Sequence, residues 1–214
     1  LGFVCIIKRV KSIFKKVGKV AMWFFIVILV AFAILVIVRM FHFYNLKKTN
    51  EQVAKIHATK LTMDDVVGKN LPPDPGAEAD KTVVGIDANK NGIRDDVELA
   101  IFKAYPDSAK TRAVLLQYAL ALQMETMQSI VNRETVTEVV REQSRAHYCV
   151  GEIASRDDIK KFIEIGDKLH GFIENKQRNT SERKKFRKDF VKYIGSYSES
   201  ENEVCDINLL TLSN

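Results

Sequence analysis

From Val20 to Val38 the chain runs nineteen residues with no charge, VAMWFFIVILVAFAILVIV, between Lys19 and Arg39. As a helix rising about 1.5 Å per residue it reaches roughly 28 Å, close to the hydrocarbon thickness of a bilayer. A helix that is apolar on every side needs lipid or an equally apolar shell of protein. No other segment is apolar enough to form that shell, so a transmembrane helix is expected, with the lipid bilayer as its first partner. Trp23 near one end and Phe41, Phe43 and Tyr44 near the other suit the membrane interface. A cleaved signal peptide is the rival, but its apolar region is about 7–15 residues and ends in small residues. This run is longer and leads into Arg39-Met40-Phe41-His42, so an uncleaved anchor is the expectation.

Charge divides the chain in two. Its 33 Lys and Arg against 27 Asp and Glu give a net charge of +6 over 214 residues, yet residues 1–48 hold nine basic residues and no acid. The remainder holds 24 basic and 27 acidic residues and is slightly acidic. A nucleic-acid-binding domain wants a basic face, so no nucleic-acid partner is expected. Six basic residues precede the span, and Arg39, Lys47, Lys48, Lys55 and Lys60 follow it. The small excess favours a cytoplasmic N-terminus and a periplasmic or otherwise extracytoplasmic domain, a single pass through the inner membrane. Phe3, Ile7, Val10, Phe14 and Val17 could add a basic amphipathic stretch on an anionic leaflet. The chain opens on Leu1, which leaves its natural start open.

The expected organisation is a basic N-terminus over 1–19, an anchor with its interface over 20–44, a polar stem with a Pro-rich linker over 45–80, and a helical domain over 81–214. Thr62 with Asp65 has the spacing of a capping box. Leu71-Pro72-Pro73-Asp74-Pro75-Gly76 carries three of the four prolines and must be extended. Val83 to Ile86 reads as a short extended apolar piece. Beyond it the pattern is helical: Asp95 to Tyr105, stopped by Pro106; then a long helix capped by Asp107, with Leu116, Leu120, Met124, Met127 and Val131 at helical spacing. Thr135 with Glu138 suggests the next cap, for a helix ending near Gly151. Ser155 with Asp158 suggests a fourth, with Ile159, Phe162, Ile163, Ile165, Leu169, Phe172 and Ile173 as a broad buried face. Thr180 or Ser181 opens a fifth, with Phe186, Phe190, Tyr193 and Ile194. The fold class expected is therefore all-α, an N-terminal transmembrane helix followed by a small helical bundle with little or no strand.

One motif rises above this background. Asp87-Ala88-Asn89-Lys90-Asn91-Gly92-Ile93-Arg94-Asp95-Asp96-Val97-Glu98 matches the twelve-residue calcium loop at every defined position. Calcium takes six to eight oxygens at about 2.3–2.6 Å, so oxygen-bearing side chains must recur on alternate residues as the backbone curls round the ion. The expected ligands are Asp87, Asn89, Asn91, the carbonyl of Ile93, Asp95 directly or through water, and Glu98 with both oxygens; Gly92 permits the turn. The competing reading is an Asx-rich turn before an acid-capped helix, which does not require Glu in twelfth place.

This loop resembles EF-hand-type calcium loops, and its flanks resemble the single loops of dockerins and thrombospondin-type repeats more than a paired EF-hand. The entering Val83-Val84-Gly85-Ile86 is extended, Arg94 stands where paired hands place an aliphatic bridge, and no second loop exists in the chain. The wider stretch from Leu71 to Ser108 is similar to a group of uncharacterised bacterial envelope proteins. The resemblance implies a structural Ca2+ rather than a switch, and brings no activity with it.

Cys149 and Cys205 are the only pair available for a disulfide outside the cytoplasm, the alternative being two unrelated thiols; Cys5 would stay reduced or be acylated. His42, His57, His147 and His170 lack zinc spacing. His147, Cys149 and His170 could meet, but isolated histidines are the commoner outcome. No nucleophile elbow, P-loop, zincin or dinucleotide motif is present. Arg183-Lys184-Lys185 with Arg187 and Lys188 reads as a solvated face, or as a dock for an acidic partner. The function expected is an interaction or scaffold protein of the cell envelope with an envelope protein as partner. The rivals are a metal-assisted hydrolase and a cytoplasm-facing regulatory module.

Overall fold

The computed structural model describes residues 2–200 and 203–213, with side chains for residue 16 and from 18 onward. The side chains of Phe3, Cys5, Ile7, Val10, Phe14 and Val17 lie outside the described residues. Seven α-helices and three short 3-10 turns are described, and no strand appears among the described residues. The all-helical expectation is met.

The first unit, 1–48, belongs to α1 (Gly2–Ala58). Its stretch 20–38 is exposed throughout, with Phe24 67% and Phe32 64% accessible. The described part of α1 is one helix long and apolar enough to cross a membrane.

The second unit, 49–214, takes the end of α1 and every later element. Residues 49–80, expected as stem and linker, place Ile56, Leu61, Val66 and Ala79 in its core. The short α2 (Met63–Val67) carries the capping box foreseen: Thr62 accepts from the Asp65 N–H, and Asp65 accepts from the Thr62 N–H. The proline stretch is non-helical and ends in a 3-10 turn, Gly76–Asp80.

Four boundaries differ from the sequence reading. α3 (Asp95–Ala104) stops as expected, but Ser108, not Asp107, caps α4 (Ala109–Gln123), accepting from the Thr111 N–H. α4 ends at Gln123 because side chains satisfy its last carbonyls: Thr126 Oγ1 donates to Gln123 O and Gln128 Nε2 to Met124 O. Met127 and Val131 therefore lie in the following turn, 40% and 42% exposed. α5 (Arg133–Gly151) is capped by Asn132, with Thr135 returning the bond as its third residue, so Thr135 is not itself the cap. Asp158 itself, not Ser155, caps α6 (Ile159–Gln177), and Thr180 caps α7 (Ser181–Phe190).

α4 is the axis of the bundle, buried from Ala113 to Gln123 and packed against α2, α3, α5 and α6. Buried glutamines tie other segments to it. Gln177 donates to Ala119 O, Gln143 to Ala121 O, Gln123 to Val84 O and Gln117 to Val204 O. On α6 only Leu169, Ile173 and Gln177 are fully buried, while Ile159 and Ile163 are 60% and 54% exposed. The broad face expected of that helix is thus buried only in its second half.

Cys149 and Cys205 form a disulfide that closes the C-terminal tail onto α5. Beside it Asp206 accepts from Leu61 N–H at 3.0 Å and pairs with Arg145 at 2.8 Å, and Arg145 also holds Glu142 at 2.7 Å. All three charges are almost fully buried, so the pairs define where the tail sits.

Candidate metal centre

The loop 87–98 is not a surface turn. Ile93 and Val97 are fully buried, and Arg94, Asp95 and Glu98 are each 1% exposed. Side-chain oxygens on alternate residues curl the backbone. Asp87 accepts from Asn91 N–H at 3.2 Å and Gly92 N–H at 2.9 Å, Asn89 from Asn91 N–H at 3.3 Å, and Asn91 from Ile93 N–H at 2.9 Å. Asp95 reaches back to Ala88 N–H at 3.0 Å, and its own N–H donates to Ile86 O at 2.9 Å. Lys90 and Gly92 take positive φ of 61° and 85°. At Gly92 a Cβ would stand 2.7 Å from Leu120 Cδ1, so the turn needs glycine both for its φ and for the approach of α4.

Of the expected ligands, Asn89 and Asn91 reach Glu98, and no open carboxylate cage forms among the described residues. Asn89 Nδ2 donates to Glu98 Oε2 at 3.0 Å and Asn91 Nδ2 to Oε1 at 3.1 Å. Among the described residues no three His, Cys, Asp or Glu side chains form a group that could hold a metal. Asp65, which the sequence reading did not include, adds a further carboxylate. Its Oδ1 accepts from Asn91 Nδ2 at 3.3 Å, and the Asn70 carbonyl accepts from Asn89 Nδ2 at 3.0 Å.

The electrostatics are those of a site short of positive charge. Burial pushes the Glu98 carboxyl up to about 7, with Asp65 and Asp95 adding to the effect against the two asparagine amides. Burial also raises Asp95, and Asp87 and Asp96 reinforce it. Among the described residues no Lys or Arg pairs with Asp65, Asp87, Asp95 or Glu98; the neighbouring Arg94 is committed to Asp96 at 2.5 Å. Asp65 and Glu98 thus share the Asn91 amide, while Asp87 and Asp95 accept from backbone N–H groups of the loop.

Arg94 ties the loop to the end of α6. In its eighth position the guanidinium donates to Lys176 O at 2.7 Å and Gln177 O at 3.3 Å, the terminal carbonyls of α6. A paired hand would place a neighbouring loop there; here a helix C-terminus takes that place. Gly85, at φ 75°, lets the entering segment pass over the Arg94 stem, where any Cβ would collide. Arg183 fastens the same entry from the other side, donating to Val83 O at 3.0 Å and Thr82 O at 3.0 Å and pairing with Asp80 at 2.5 Å.

The other sequence candidates fall elsewhere. His147 and His170 do meet, stacked with centroids 3.7 Å apart, while Cys149 is taken by the disulfide. Two of the five residues of the expected basic face turn inward: Arg183 is 3% exposed, and Arg187 pairs with the buried Glu125 at 2.6 Å. Lys184, Lys185 and Lys188 remain outside.

No family model, curated protein or solved structure matches the chain.

Proposed function

We propose that this chain is a single-pass protein of a bacterial inner membrane, with its N-terminus in the cytoplasm and its helical unit outside. The unit holds one structural Ca2+ on Asp87, Asn89, Asn91, Ile93 O, Asp95 and Glu98, and serves as an interaction or scaffold unit of the envelope. The observation that carries the reading is the uncompensated carboxylate group around the buried Glu98, set in a unit whose tail is closed by a disulfide. Extracytoplasmic calcium and an oxidising compartment would satisfy both features together. The exposed helix 20–38 supplies the anchor that such an address requires.

The address is tested by thiol trapping in intact cells. Cells are quenched in acid, then denatured and alkylated with a maleimide before and after reduction. Cys149 and Cys205 protected until reductant is added would support the external unit. Both cysteines freely alkylated without reductant would place the unit in the cytoplasm and remove this reading.

A further inference from the structure

A cleft of about 240 Å3 opens among α4, α5, α6 and α7, apart from the loop 87–98. Behind two of its lining residues, Gln143 and Arg187, lies the buried Glu125, 5% exposed, which accepts from Gln143 Nε2 at 2.8 Å and from Arg187 Nη1 at 2.6 Å. Arg187 Nη1 also reaches Gln143 Oε1 at 3.1 Å, so one edge of the guanidinium is fixed from below. Arg178 stands beside it, 3.2 Å from Glu174 and 3.9 Å from Glu125. The two carboxylates balance the two guanidiniums in charge, yet they leave hydrogen-bonding capacity unspent. A guanidinium carries five N–H donors. Arg187 uses a single nitrogen, and Arg178 is held by ion pairs without a directed hydrogen bond. Neither residue has a buried donor without a partner, and both line the cleft.

The rest of the wall is of a different kind. Tyr118 spends its hydroxyl on Glu174 at 2.8 Å and leaves its ring to the cleft, next to Leu122, Val140 and Tyr148. His147, stacked on His170, lines one side. Two adjacent guanidiniums with open edges favour a planar or tetrahedral oxyanion gripped through several N–H groups at once. An aromatic and aliphatic wall favours a flat apolar body. At 240 Å3 the space is below that of drug-sized ligand sites, roughly 300–1,000 Å3, and suits a small solute.

We propose that this cleft binds a small organic anion, a carboxylate or phosphate ester on a flat apolar body. Its oxyanion is held by Arg178 and Arg187 and its body lies against Tyr118, Leu122 and Val140. The proposal is independent of calcium and of the topology. The same oxyanion is offered by a free solute or by a lipid headgroup.

The test is isothermal titration calorimetry of the full chain in neutral, phosphate-free detergent micelles. Phenyl phosphate and benzoate are the probes, and benzylamine, of like shape and opposite charge, is the control. The expected result is saturable heat with at least one anion and none with benzylamine. Arg178→Gln and Arg187→Lys should each weaken binding about tenfold or more, the loss of one charge-assisted contact. Lys188→Gln, on the exposed side of α7, should leave it unchanged. Arg187→Lys keeps a cation on Glu125, so the pair of variants separates lost recognition from lost folding. No heat with either anion, equal heat with benzylamine, or affinities unchanged in both arginine variants would overturn the proposal. Repeating the titration in micelles doped with phosphatidylglycerol assigns the source. Abolished phenyl phosphate binding would identify a headgroup site, and retained binding a site for a free solute; either supports the oxyanion grip.

Discussion

Replacing Glu98 by Gln should change the sign of its effect on stability when calcium is added. In the metal-free protein the carboxyl is raised from 4.5 to about 7 by burial. A carboxyl that holds its proton longer when folded contributes its full stability below its unfolded value and loses it as pH rises to the folded one. At pH 7.5 the ionised Glu98 therefore weakens the metal-free fold by about 3 kcal/mol. Glutamine keeps the shape and carries no charge. It can accept from one asparagine amide, but its own Nε2 then faces the other, so one amide must turn over, at about 1 kcal/mol. The metal-free Glu98→Gln protein should thus be about 2 kcal/mol more stable than the parent.

Calcium should reverse this order. A ligand at a hundred times its dissociation constant adds about 2.7 kcal/mol to the parent, a Tm rise of about 5–11 °C for a unit of this size. The variant lacks the second carboxylate oxygen and should gain little. The assay is thermal unfolding of the full chain in micelles followed by near-UV circular dichroism, which reads tertiary packing rather than the micelle-held helix. Each protein is measured with chelator and with calcium. A variant less stable than the parent in chelator would refute the charge argument. Equal calcium shifts in both proteins would remove Glu98 from the site.

Arg94→Ala should cost about 3 kcal/mol in urea unfolding, because it leaves Asp96 unpaired and the α6 carbonyls without their donor. Replacing Cys149 and Cys205 together by Ala should cost about 4 kcal/mol, from a closed loop with a sequence separation of 56, and should expose the 203–213 tail to limited proteolysis. His170 is held below its ordinary range by burial, with His147 adding to the effect. Such a group favours the fold while neutral, so stability should fall as pH drops from 6.5 toward the lower folded value. His170→Asn should flatten the urea midpoint across that interval.

Apart from the Cys149–Cys205 pair, 56 positions apart, the features legible in the sequence are local ones. The Thr62–Asp65 box, the stop before Pro106 and the loop spacing each involve groups a few residues apart, whose geometry the backbone alone dictates. Caps slipped where a second capping residue stands nearby: Ser108 beside Asp107, with an extended φ of −115°, and Asn132 three residues before Thr135. The exposed first half of α6 was hidden for another reason. Periodicity names the face of a helix that is apolar, but not how far its neighbours extend along it. Asp65 was invisible because it lies 26 positions from the asparagine it faces. Arg183 and Arg187 carried a faint signal, since their spacing of four sets them on one face, and Phe186 and Phe190, also four apart, have buried sides.

The departure at position eight bears most directly on what a bound calcium would do. A sensor loop works by swinging its exiting helix and exposing an apolar groove. Here that helix, α3, begins at Asp95 and buries Val97, Glu98 and Ile101 in its first two turns. The residue before it, Arg94, is hydrogen-bonded to the end of α6. Rotating α3 would break those bonds and strand a guanidinium that is 1% exposed, with no solvent to replace its partners. Calcium should therefore raise stability without opening the unit. Binding of a hydrophobic dye such as ANS, measured below the transition in chelator and in calcium, should be the same. A rise in dye fluorescence on adding calcium, lost in Glu98→Gln, would mean that α3 moves and that the loop acts as a switch.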